Sequence, residues 1–191
     1  LRNPIPFSVI DLDRRAGGVR LTLEDHTSDV RWGVGVEGKL QHDDRMEFES
    51  DGGRPGAVLI DQLETVDNAA TFGRLALPLG RLQLDAGLRY DWLRFEADDR
   101  TPQNDDGTQT FRALSPSVGL SFALGTARLF ANASTGLEAP TTSELSNRPD
   151  GQGGFNDLAS EDVLALEGGV TGRWIGPRLS YDVALFYQDV D

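Results

Sequence analysis

The strongest constraint on this chain is a strict two-residue period. Across residues 81–92, Leu82, Leu84, Ala86, Leu88, Tyr90 and Trp92 share one side, while Arg81, Gln83, Asp85, Gly87, Arg89 and Asp91 share the other. Side chains of an extended strand point alternately to opposite faces, so the stretch reads as a strand with one apolar and one charged face. The period recurs over 31–41, where Trp32, Val34, Val36 and Leu40 oppose Arg31, Gly33, Gly35, Glu37, Lys39 and Gln41. It recurs again over 164–174 and 181–188, and more weakly over 19–24, 75–79, 118–124 and 128–137. About eight strands are expected.

The predicted connections alternate in length. Short turns fall at 25–29, at Gly80, at 125–126 and at 175–177; long polar stretches rich in Gly, Asp, Asn and Pro fall at about 49–68, 98–110 and 138–160. Bacterial outer-membrane barrels pair short periplasmic turns with long extracellular loops, so the alternation assigns a direction to each strand. The strand 81–92 then runs outward, with Tyr90 and Trp92 near the outer interface and Trp32, Trp174 and Tyr181 near the inner one. The expected class is all-β: an antiparallel transmembrane β-barrel segment. A soluble antiparallel sandwich also alternates apolar and polar residues. Two features favour the barrel: the polar face mixes Gly, Ser, Asp and Arg as a wet lumen does, and loop length alternates by side.

Composition narrows function. The 191 residues include no cysteine and two histidines, which leaves thiolate or His-rich metal chemistry poorly supplied. A net charge of −13 opposes nucleic-acid binding, which needs a basic stripe. No run approaches the roughly 20 apolar residues of a spanning helix, whereas a barrel strand needs only about 9 to 11 residues, alternately apolar. His26, in a short turn, and His42, near an expected strand end, lack a Ser or Cys partner in any nucleophile motif, so no catalytic residue is assigned. The acidic pairs Asp43/Asp44, Asp98/Asp99 and Asp105/Asp106 do not follow calcium-loop spacing and read as solvated loop charge, leaving no metal site. Gly151, Gly153 and Gly154 lie in a long polar stretch rather than between a strand and a helix, so they do not read as a phosphate cradle.

The second half carries a family resemblance. Residues 135–145, TGLEAPTTSEL, are followed by Phe155, Asn156, Asp157, Leu158, Ala159, Ser160 and Glu161, then by Glu167, Gly168 and Gly169, then by Ala184 to Asp191, reading ALFYQDVD. In order and spacing this resembles the barrel of TonB-dependent outer-membrane receptors, with the GLRYD strand at Gly87 to Asp91 matching more loosely. Glu138 and Ser160 stand where that family often has Arg and Pro, and the stretch between the two segments lacks the His of haem-uptake members. The resemblance implies that residues 1–191 are about eight strands of a 22-stranded barrel, with plug domain and terminal strands lying outside the chain. It implies energised uptake of a scarce ligand, foremost a ferric siderophore, in the outer membrane of a Gram-negative bacterium. The TonB complex would act through the plug, outer-membrane lipid would surround the wall, and neither an enzymatic activity nor a cofactor is implied. Arg89, Asp91, Glu167 and Arg173 are expected to face the lumen and are the candidates for contact with plug or solute, though ordinary lumen polarity accounts for them equally. A passive porin, an adhesin or a soluble β-rich binding module stays open as the alternative.

Overall fold

A computed structural model describes residues 2–4, 8–25, 27, 29–102, 106–146, 155–174 and 179–191. They form one nine-stranded antiparallel meander, ordered as in the chain: β1 (Arg2–Pro4), β2 (Ser8–Asp25), β3 (Arg31–Asp51), β4 (Arg54–Leu79), β5 (Leu82–Asp99), β6 (Gly107–Leu124), β7 (Ala127–Glu138), β8 (Glu161–Trp174) and β9 (Leu179–Val190). β1 is a three-residue strip, so the eight long strands match the expected number. One helical turn, α1 (Thr142–Ser146), interrupts the β7–β8 connection. Among the described residues β1 and β9 do not pair with each other, and the sheet is an open half-barrel with two edges.

The alternation read from sequence becomes two faces. Register pairs Gly35 with Phe72, Phe72 with Arg89, and Arg89 with Ser115, so the polar set of each strand aligns on one side of the sheet. Side chains from strands two apart meet on that side. Arg89 of β5 reaches Glu37 of β3, and Arg20 of β2 lies over the ring of Phe72 on β4. Convergence of this kind requires a concave surface, so the polar face is the inside of the curve. Burial confirms the inversion: Asp43 is 0% and Glu64 2% exposed, whereas Leu21 is 64% and Leu185 82% exposed on the outside. A soluble sandwich would cover its apolar face with a second layer. No described element packs there.

The long connections are where expectation and structure part. Residues 49–68 were expected as a polar loop, yet β3 runs to Asp51 and β4 starts at Arg54. The only break is Gly52–Gly53, whose φ values of 59° and 84° fit the tight hairpin turn that matches strand twist. β4 has 26 residues, more than twice what crosses a bilayer core. Above the apolar band neither face needs apolar residues, so ladder hydrogen bonds hold a strand that period alone cannot reveal. The connection expected at 98–110 shortens to 100–106 for the same reason, since β5 extends to Asp99 and β6 starts at Gly107. Only 139–160 remains a long connection. At the opposite end Gly80 and Gly125, with φ of 68° and 60°, make the expected short turns. The turn expected at 175–177 lies outside the described residues, as do His26, Asp105 and Gly151, Gly153 and Gly154.

Candidate functional site

The inner face has two zones stacked along the strands. The lower and middle zone is a lattice of charge pairs. Arg20 and Lys39 both hold Glu37. Arg89 grips Asp91 through two bonds of 2.8 Å and approaches Glu37 at 3.7 Å. Arg74 binds Glu24 at 2.5 Å. Phe72 lies between the guanidinium groups of Arg20 and Arg89, at 5.6 and 5.8 Å, a cation–π arrangement that fixes both. The ring lies down because Gly35 faces it across the strand pair; a Cβ there would collide with it.

Higher up, Arg14 binds Asp43 at 2.8 and 2.6 Å, and Gln41 donates to the same carboxylate at 2.9 Å. Arg45 contacts Glu47 at 3.0 Å and Glu64 at 3.3 Å, and Gln62 donates to Glu64 at 2.5 Å. Asp43 is therefore a buried, paired carboxylate and not solvated loop charge: because β3 continues past Gln41, parity turns Asp43 inward. Its neighbour Asp44 turns outward and meets Arg100 at 3.1 Å. His42 sits within β3 rather than near a strand end, exposed, with Nδ1 3.2 Å from the Thr65 hydroxyl. Asp98 is exposed, and Asp99 accepts from the Thr101 backbone and hydroxyl at 2.8 Å each.

The upper zone is apolar. Phe95, Phe111 and Leu145 form a small core, with Val66, Leu93, Leu137, Ala139 and Phe155 packed against it. Phe95 and Phe111 meet edge to face at 5.8 Å and 79°. Leu145, wholly buried, comes from α1, so the described start of the β7–β8 connection turns inward onto the sheet. Local chemistry sets that course. Thr141 and Glu144 form a capping box: the Thr141 N–H and hydroxyl donate to the Glu144 carboxylate at 2.7 and 2.8 Å, and the Glu144 N–H donates back at 3.3 Å. The Thr141 backbone and hydroxyl hold the Glu144 carboxyl below its ordinary value. Asn156 closes the other end, donating from its backbone to Leu145 O and from its side chain to Glu144 O, both at 2.6 Å. Phe155 comes so close to Gly107 that a side chain there would clash.

Of the four candidates, the structure joins Arg89 and Asp91 directly. Glu167 lies two strands beyond β6 and accepts from Asn132 Nδ2 at 3.2 Å. Arg173 stands at the short-turn end of β8, exposed, and is not brought to the others. Sequence reasoning missed Arg14, Arg20, Asp43, Arg45, Glu64, Phe72 and Arg74. The signal existed as an even-numbered polar series through β2 and β4, blurred because Val66, Ala70 and Phe72 also face inward.

The same geometry recurs in solved structures. The chain matches a copper transporter, OprC, with a TM-score of 0.76 and 19% identity over 96% of this chain and 31% of that one. It matches the ferric yersiniabactin uptake receptor FyuA of Yersinia pestis at 0.72 and 14%, over 99% and 31%. It matches the hemophore receptor HasR of Serratia marcescens, solved with its hemophore HasA and heme, at 0.68 and 18%, over 96% and 34%. The chain thus spans about a third of the length of these structures. The family model described as TonB dependent receptor-like, beta-barrel, matches residues 8–191. With that match running through all eight long strands, the chain belongs to the TonB-dependent receptor β-barrel family, a family of transporters and not of enzymes.

Proposed function

We propose that this chain is part of the wall of a TonB-dependent transporter in the outer membrane of a Gram-negative bacterium, importing a ferric siderophore. The apolar outer face lies against lipid. A plug domain from elsewhere in the same receptor fills the inside, and the TonB complex acts through that plug. One observation carries the reading: through the lower part of the sheet the concave side is polar and the convex side apolar, as suits hydrocarbon outside and protein or water within. On β5 the outward apolar series from Leu84 to Trp92 spans about the 9 to 11 residues that a tilted strand needs to cross. Trp32 and Trp174 mark its lower rim.

Ligand chemistry as well as resemblance supports this cargo class. The connection 139–160 has no histidine, and the chain holds no cysteine and one methionine, Met46. Copper and haem iron favour such softer or imidazole ligands. A siderophore brings its own iron ligands and asks the receptor for polar and aromatic contacts. Arg89, Asp91, Glu167 and Arg173 line the lumen in this reading. The test is uptake of radiolabelled ferric siderophores by cells carrying or lacking the full-length receptor. Uptake that needs the receptor, TonB and the proton gradient is expected; uptake that survives loss of TonB would mean a passive porin.

A further inference from the structure

We infer that the inner wall carries a seat for a carboxylate, built by Arg20, Arg74 and Arg89 around the ring of Phe72. The inference rests on the wall reading above, because it needs this face turned toward a filled lumen. An open depression of about 310 Å³ lies there, lined by these four residues and by Ser115 and Ser117 of the neighbouring β6. That is room enough for a carboxylate and its stem. Space for it depends on Gly87, where a side chain would strike the Ser117 hydroxyl.

The donors in its lining decide what the depression can hold. Three arginines line it and no carboxylate does. Their partners Glu37, Glu24 and Asp91 stand outside the lining and hold each guanidinium in place. Counting Lys39, which also binds Glu37, and Asp85, inward on β5 two residues from Gly87, four cations face four carboxylates, so the seat rests on the donors the arginines present and not on an excess of charge. Each arginine uses Nε or Nη2 on its partner, and among the described residues none uses Nη1. Three charge-assisted donors and two hydroxyls thus belong to residues lining one small space, the equipment for a planar oxyanion. Phe72 and the fixed partners preorganise the forks, which lowers the cost of binding.

Two sources supply a carboxylate in a lumen: an Asp or Glu side chain of the domain that fills it, or a polycarboxylate solute in transit. Both are tested in the full-length receptor. In the first arm a photoreactive amino acid replaces Ala113, inward on β6 beside the seat but outside its lining, with Asn132 as a control position elsewhere on the inner face. Crosslinking from position 113 to an acidic peptide outside residues 1–191, falling about tenfold in the Arg20→Gln/Arg89→Gln double variant, identifies a protein carboxylate. In the second arm citrate is titrated at constant ionic strength. A rise in unfolding midpoint that the double variant loses identifies a solute. Arg89→Lys, which keeps charge but loses the fork, should weaken either effect, and heat-modifiable gel mobility reports whether each variant folds. If neither readout depends on the arginines the seat is refuted. If Asn132 crosslinks to a lumen domain meanwhile, the wall reading survives that refutation; if Asn132 finds none, the wall reading falls with it.

Discussion

Strand β5 passes through two environments, and its faces exchange roles between them. From Leu84 to Trp92 the outward side is apolar and the inward side holds Asp85, Arg89 and Asp91. Above Trp92 the outward side becomes Arg94 and Glu96, paired at 2.7 Å, while the inward side becomes Leu93, Phe95 and Ala97. The lower half is organised for hydrocarbon outside; the upper half behaves as an ordinary water-facing sheet, with Leu145 of α1, Ala139 and Phe155 packed on its inner side. The comparison teaches that parity persists through a strand while the meaning of each face is set by its surroundings.

The upper half depends most on one side chain. Leu145→Ala removes a fully buried anchor and should destabilise the docked connection by about 2 to 5 kcal/mol, because the surrounding aromatics cannot fully collapse into the hole. Hydrogen exchange across 139–160 in the intact receptor should accelerate while β5 below Trp92 stays protected. Uniform acceleration would erase the distinction between the halves. The lower half has its counterpart in Leu88→Arg, which sets a charge against hydrocarbon and should cost about 2 to 4 kcal/mol near the midplane, less toward the interface. Arg89→Leu, one residue away on the polar face, should cost far less, measured by denaturant titration in lipid.

Single cysteines along β5 sharpen the exchange directly. Positions 84, 86 and 88 should react with lipid-phase probes and 85, 87 and 89 with water-soluble ones where the lumen admits them. Above the crossing, 94 and 96 should become water-reactive and 95 and 97 protected. If the accessible set keeps one parity from end to end, the two-environment account fails.

A smaller effect tests the cap. Thr141→Ala should loosen α1 by about 0.5 to 2 kcal/mol, seen as faster proteolysis of 139–160 on intact cells. Acid should act in the same direction. The folded Glu144 carboxyl titrates below its ordinary 4.5, so its stabilisation is present above that value and is lost as pH falls through the folded value. Proteolysis of the connection should therefore quicken below about pH 4.5, and Glu144→Gln should remove that dependence. The slightest effect is expected at the β3–β4 hairpin, where external protease should cut only near Gly52–Gly53, since the flanking residues are in paired strands.

The sequence by itself determined the class, the number of long strands, the faces of β3, β5, β8 and β9 and the short turns at Gly80 and Gly125, because a two-residue period and a two-residue turn are local properties. It also determined the family, through segments that the fold turns into the capping box of Thr141 and Glu144 and the clamp of Asn156. Only the tertiary structure decided where strands end and which charges meet. Residues 49–68 read as loop because no apolar alternation marks them, their inward Gln62 and Glu64 being buried polar groups, and such a strand is held by its neighbours' hydrogen bonds and not by its own pattern. Asp43 read as solvated because its burial depends on Arg14 and Gln41, one of them 29 residues away. The grouping of Arg20, Phe72 and Arg89 was likewise invisible, because it comes from register across four strands and from the curvature that draws alternate strands together.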